Sequence, residues 1–156
     1  MSSRSGIVLT TLAEEDNEAN RRKLWELSNL TRHDVPHDVI EDQPFEIFTD
    51  LLDRPEALPG CLLIARQGDR YVGFSLLVHQ TPERALTGMT GVHRDFRNRG
   101  IALAMKVRSA RLARNRGYKA MRTFNHVNNP AMLAVNTRLG YAPLPESITF
   151  RKDLAT

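Results

Sequence analysis

The run HRDFRNRGIALAMK, His93 to Lys106, constrains this chain more than any other feature. It sets Arg94, Arg97 and Arg99 ahead of Gly100 and then opens an apolar, alanine-rich helix. A helix start already carries about half a positive charge and several N–H groups without acceptors, so three guanidiniums there are unfavourable unless an anion meets them. The strand-like TGMTGV, Thr87 to Val92, leads into the turn, and Gly100 allows close approach of the backbone. A strand, a turn and a helix in that order aim several N–H groups at one point, as phosphate sites do. An anion of the pyrophosphate type fits. A Walker A loop needs G-K-[ST] after its glycines and a Rossmann fingerprint needs three spaced glycines; neither is present.

The rest of the chain reads as alternating elements. Ile7 to Leu12 is a short strand, and a helix follows from about Glu14 to Leu30 with Leu24, Trp25 and Leu27 as its apolar contacts. Pro36 and Pro44 interrupt the acidic DVPHDVIEDQPF, and Phe45 to Leu52 forms a second helix. Cys61 to Ala65 and Tyr71 to Val78 make a hairpin around Gly68-Asp69, with a third strand at Ala85 to Val92. The longest helix spans Ile101 to Asn115 and ends at Gly117; Ile101, Met105 and Leu112 share a face, and Lys106, Arg108, Arg111 and Arg114 project elsewhere. Ala120 to His126 is a strand, Pro130 to Leu139 a helix stopped by Gly140, and Ser147 to Arg151 a last strand.

Charge is divided along the chain. Residues 1 to 78 hold 8 basic and 14 acidic side chains, net −6, and residues 79 to 156 hold 14 and 4, net +10. That split suits a polyanionic small molecule, a nucleic-acid face or a solvated surface. Arg108, Arg111, Arg114, Arg116 and Lys119 could meet phosphates, but few aromatics lie among them for base stacking, so nucleic acid is the weaker reading. No run approaches the roughly 18 apolar residues of a membrane span, and MSSRSGIVLTTL lacks a signal-peptide pattern, so a soluble cytoplasmic protein is expected. The single cysteine, Cys61, is read as a buried hydrophobe. His33 and His37 have metal-pair spacing, but Pro36 between them breaks the helix the spacing needs, and no metal is expected.

Arg97-Asn98-Arg99-Gly100-Ile101-Ala102 matches the R/Q-x-x-G-x-G/A signature of the GNAT acyltransferases, and NHVNNPAMLAVNTRLGY resembles that family's second block, N-x-x-A and LG-F/Y. The resemblance covers nearly the whole chain; the DVP stretch and MLAVNTRLGY look most like half-units of tandem GNAT proteins of the mycothiol synthase type. It implies a single domain over residues 1–156 of α/β (α+β) class, with a mixed, mostly antiparallel sheet flanked by about four helices. It further implies that acetyl-CoA is the cosubstrate. The loop Arg97, Asn98, Arg99, Gly100, Ile101 and Ala102 would wrap its pyrophosphate, and Thr90, Gly91 and Val92 would pair with the pantetheine arm as an added strand. Asn129 would reach the arm from the next helix. A homodimer is common in the family.

One position departs from the family. Where many members carry a tyrosine that protonates the leaving thiolate, this chain has Asn136, which hydrogen-bonds but delivers no proton at neutral pH. Tyr141 takes the slot of a packing aromatic. Direct transfer to an amine also needs an oxyanion donor, here the backbone near Val92, and a proton sink, for which His126 is the candidate, with His79 and Glu83 behind it. The acidic stretch from Asp34 to Asp53, including Asp38, Glu41 and Asp42, could draw a cationic amine acceptor or simply be solvated. Three functions are therefore expected in order: an acyl-CoA-dependent N-acetyltransferase, a non-catalytic acyl-CoA sensor or degenerate half-domain, and a nucleic-acid binder.

Overall fold

In a computed structural model of the chain, residues 6–34, 41–125, 129–144 and 152–154 are described. The expected last strand at 147–151 and the candidate base His126 lie outside them. The described strands are β1 (Ile7–Thr11), β2 (Leu63–Gln67), β3 (Arg70–Thr81), β4 (Arg84–Val92) and β5 (Ala120–Thr123). The helices are α1 (Glu18–Arg32), α2 (Phe45–Leu52), α3 (Ile101–Asn115) and α4 (Pro130–Arg138). The five strands lie in sequence order, antiparallel except for β4 and β5, which run parallel with α3 as their crossover. This is the mixed sheet with four flanking helices that the sequence implied.

Boundaries move where side chains compete for backbone. Helix α1 begins at Glu18 rather than near Glu14, because Glu14 turns its carboxylate back onto the Thr11 N–H at 2.8 Å and the Thr10 and Thr11 hydroxyls, closing a 3-10 turn. Asn17 then caps α1 by accepting from the Asn20 N–H. Those bonds hold the Glu14 carboxyl below the usual carboxylate range. Strand β2 starts two residues late because Pro59–Cys61 forms another 3-10 turn. β5 stops at Thr123 rather than at His126.

Alternation along the sheet makes two cores. Leu62, Ile64, Tyr71 and Phe74 pack with Leu24, Leu27, Phe48 and Leu52 from α1 and α2. Leu63, Ala65 and Val72 pack on the opposite face with Ile7, Phe96, Ile101 and Met105. Tyr71 and Phe74 share a face because β3 carries an extra residue opposite the Ala65/Arg66 step. The seat of α3 is set by Gly73: a Cβ there would lie 3.2 Å from Met105 Cε and 3.3 Å from Ile101 Cγ2. Its absence lets the start of α3 rest directly on β3, which fixes the preceding turn against the sheet.

Candidate functional site

The turn before α3 is anchored from below by an aromatic. Phe96, in the 3-10 turn Arg94–Phe96, is buried beside Ile101 and Met105. The Arg70 and Arg99 guanidiniums lie 5.3 and 4.9 Å from its ring centroid, and the His93 ring meets it edge-on at 5.9 Å. His93 Nδ1 accepts the Asp95 N–H and caps that turn. Above this anchor the backbone is left-handed twice, at Asn98 (φ 61°) and at Gly100 (φ 76°, ψ 13°). Asn tolerates that region better than other side chains and Gly adopts it freely. No side chain caps the start of α3, and the first intrahelical bond runs from the Ala104 N–H to the Gly100 carbonyl. The N–H groups of Ile101, Ala102 and Leu103 therefore have no acceptor in the helix itself and face outward together.

The strand that feeds this turn has an open edge. β4 pairs with β5 only from Arg84↔Ala120 to Thr87↔Thr123, yet it continues along β3 as far as Val92↔Gly73. Between Thr87 and Thr90 it carries one residue more than β3, so a bulge turns it away from β5 where the pairing stops. The His93 N–H donates to the Val72 carbonyl on the β3 side at 2.8 Å. By the two-residue alternation of a strand, the N–H groups of Val92 and Thr90 point to the open edge. Among the described residues the fork thus presents N–H groups without a backbone partner leading to the uncapped end of α3, as an extended ligand with an anionic tail requires.

Side chains place the remaining candidates. Thr90 Oγ1 is within 2.9 Å of Ser75 Oγ across β3, so its hydroxyl is structural. Gly91 lies under α1: a Cβ there would come within 2.6 Å of Thr31 Oγ1. Arg97 donates from Nε to the Val92 carbonyl at 3.1 Å and from Nη2 to Asp34 at 2.7 Å, and Arg94 reaches the same carboxylate at 3.2 Å. Asp34 is thereby tied to the loop, and Asp42 is paired with His33 at 2.7 Å. The acidic stretch is not the free row of carboxylates its composition suggests; Asp38 and His37 lie outside the described residues. Asn129 caps α4, accepting from the Met132 N–H at 3.4 Å.

Asn136 is buried, and both ends of its amide are engaged. Its oxygen accepts from Lys106 Nζ at 2.6 Å, and its nitrogen donates to Asn125 Oδ1 at 2.5 Å. Lys106 does not project with the other basic residues of α3, as expected from the sequence, but is 3% exposed. It follows Met105 at the edge of the apolar stripe, and Asn136 of α4 accepts from it. Burial lowers its ammonium to about 8. Between about pH 8 and 10.5 the unfolded chain keeps this proton while the folded chain releases it, so the stability that Lys106 contributes should rise with pH across that window and stay flat below it. Urea midpoints across the window should show the rise in the native chain and its loss in Lys106→Met. Burial also pushes the Tyr141 phenol up.

His79 and Glu83 do not line the open edge of β4 between Thr87 and Val92. They sit at the β3–β4 turn, the far end of β4 from Val92, where His79 Nδ1 is 2.6 Å from the Tyr118 hydroxyl and Glu83 pairs with Lys119. The basic patch is also thinner than it reads: Arg108 is half-buried and reaches the Leu9 carbonyl, and Lys119 is paired. Lys106, Asn125 and Phe96 went unnoticed as site residues in the sequence. A lone lysine inside the otherwise uncharged run Ile101 to Val107 was the available signal. Among the described residues no group of three or more His, Cys, Asp or Glu could hold a metal ion, and no helix is long and apolar enough to cross a membrane.

Comparison with known proteins agrees with this geometry. The model of the family described as Acetyltransferase (GNAT) family matches residues 21–141. No curated protein matches the sequence. Among solved structures, the chain is similar to the aminoglycoside N-acetyltransferase AAC(6')-Iy in complex with CoA (TM-score 0.70, 17% identity, 94% of each chain covered). It is also similar to an aminoglycoside acetyltransferase from an uncultured soil metagenomic sample in complex with sisomicin (TM-score 0.72, 15% identity, 97% of this chain and 98% of that chain). A third is a ribosomal-protein-alanine N-acetyltransferase from Brucella melitensis biovar Abortus 2308 (TM-score 0.70, 18% identity, 94% and 97%). At these identities the likeness is one of fold.

Proposed function

Since the chain belongs to the GNAT acetyltransferase family, whose members take their acyl group from an acyl-CoA, we propose that it moves an acetyl group from acetyl-CoA directly to a primary amine of a small molecule or peptide. The observation that carries this reading is the fork: the freed edge of β4 beyond Thr87 runs into the uncapped N–H groups at Gly100. An extended pantetheine arm lies along the first, beside Thr90, Gly91 and Val92, and the pyrophosphate sits on the second, against the backbone of residues 97–102. Asn129, at the head of α4, keeps its amide nitrogen for the arm while its oxygen caps the helix. The whole chain acts as one domain, and the solved relatives bound to CoA and to an aminoglycoside support a coenzyme and an amine as the two substrates.

Direct transfer asks little covalent work of the protein. The neutral amine attacks the thioester carbon, the carbonyl oxygen gathers charge, and an outward N–H of the freed β4 edge, that of Thr90 or Val92, is the donor available to receive it. The C–S bond then breaks and the amine gives up its proton, for which His126 is the nominated base. Asp34 modulates the coenzyme site: it holds the Arg94 and Arg97 guanidiniums that would otherwise reach phosphate. Asp34→Asn is expected to tighten coenzyme A binding by roughly two- to fivefold at low salt, since exposed ion pairs are worth about 0.2–1 kcal/mol, and added salt should erase the gain. Calorimetry at two ionic strengths measures it.

A second reading, a non-catalytic acyl-CoA sensor, is favoured by Asn136, which offers no phenol to the leaving group and whose amide is already bonded at both ends. The two are separated by coenzyme A release from acetyl-CoA in the presence of a panel of amines: aminoglycosides, polyamines and alanine-terminated peptides. Turnover with any of them supports the transferase; tight binding without turnover supports the sensor. Absence of coenzyme A binding at millimolar concentration by a folded sample would overturn both.

A further inference from the structure

Helix α3 buries a cation for which the described residues supply no carboxylate. Lys106 Nζ is held by Asn136 Oδ1 at 2.6 Å, and Asn136 in turn holds Asn125, two residues past the end of β5. The Tyr141 ring lies beside it, with its centroid 6.0 Å from Nζ. Through Asn125 this chain of groups links α3 and α4 to the end of β5, where the sheet forks. Its charge is costly: a buried ammonium with no carboxylate beside it among the described residues opposes folding, and burial is the cause that lowers this one. At neutral pH it is still an ammonium. A methionine could fill the same helical position without that cost, so packing alone does not explain a lysine here.

The transfer reaction produces an anion at that end of the fork. As the amine's lone pair forms the N–C bond, the C–S bond breaks with its electron pair on sulfur, and the amine proton passes to the base. The family resemblance places Asn136 at the leaving thiolate. The geometry points to Lys106 as a positioning residue that orients Asn136 and places a positive charge behind it, favouring the coenzyme A thiolate as it departs. Lys106 keeps its proton throughout; it acts as a fixed charge in a dry setting, where such charges are most effective. The inference rests on the coenzyme lying along the fork as proposed above, and it explains how a chain with asparagine in place of a phenol supports a thiolate leaving group.

The test needs no amine acceptor. Calorimetry with coenzyme A and with desulfo-coenzyme A first establishes that the native chain binds both; binding of neither would overturn the coenzyme site and this inference together. The ultraviolet absorbance of the bound thiolate is then followed against pH. Below about pH 8, where Lys106 is still charged, the native chain should hold about tenfold more thiolate than Lys106→Met. Equal titration in the two would overturn the inference and leave the coenzyme site standing. Should Lys106→Met fail to fold, the native chain alone decides by nitrogen NMR of the lysine side chains. Because coupling is reciprocal, the Lys106 midpoint should move up in the coenzyme A complex and not in the desulfo-coenzyme A complex. The same midpoint in both complexes would overturn the inference, whereas a purely structural lysine has no reason to sense the sulfur.

Discussion

Gly100→Val is expected to weaken coenzyme A binding by at least about a hundredfold while the chain still folds. Gly100 sits at φ 76°, and among the described residues nothing beyond its two chain neighbours lies within 4 Å of an added Cβ, so the substitution meets no clash there. What it meets is backbone strain, roughly 1–2 kcal/mol for an L-residue in the left-handed region and more for a β-branched one. The turn relieves that strain by rotating, and the N–H groups at the start of α3 then cease to converge on one anion. The side chain also fills the open space in which the pyrophosphate is proposed to lie. Alanine should give an intermediate loss. Calorimetry with coenzyme A, alongside urea unfolding, separates the two effects; undiminished binding by the valine variant would remove the glycine turn from the site.

The second large effect concerns the fold beneath the site. Gly91→Ala places a Cβ 2.6 Å from Thr31 Oγ1, 2.9 Å from Thr31 Cβ and 2.8 Å from Phe74 Cε1, far inside contact distance. Thr31 has little freedom to yield, because its hydroxyl bonds the Leu27 and Ser28 carbonyls within α1. Either α1 lifts from the sheet or β4 shifts at the residue before Val92. The expected cost is about 3 kcal/mol, at the upper end for overpacking. Thr31→Ala removes the nearest atom and should recover part of it, so the pair is expected to be non-additive in a double-mutant cycle of urea midpoints. A cost below about 0.5 kcal/mol would mean that α1 does not press on β4 as described.

How far the site could be read in advance depends on how local each interaction is. Gly100 and the elements around it were legible because a left-handed turn, an apolar stripe and a parallel crossover leave marks within a few residues. Helix α2 was legible for the same reason, with bounds identical to those observed at Phe45 and Leu52. The start of α1 was not, since Glu14 could equally have opened the helix until Thr10 and Thr11 offered it three donors. His79 and Glu83 looked available as bases by residue type, yet the hairpin places them before the open edge of β4, bonded to Tyr118 and Lys119.

The sequence by itself determined the family, the order of the described strands and helices, and the glycine turn with its three arginines, because helix starts, turns and strand periods are written in neighbouring residues. Tertiary structure alone decided which charges are free. Asp34 meets Arg94 and Arg97 across 60 and 63 residues, and Lys106 finds Asn136 across 30. A charged side chain settles by trading hydration against whatever the folded chain brings beside it, and that neighbour is fixed by packing between helices rather than by any local pattern.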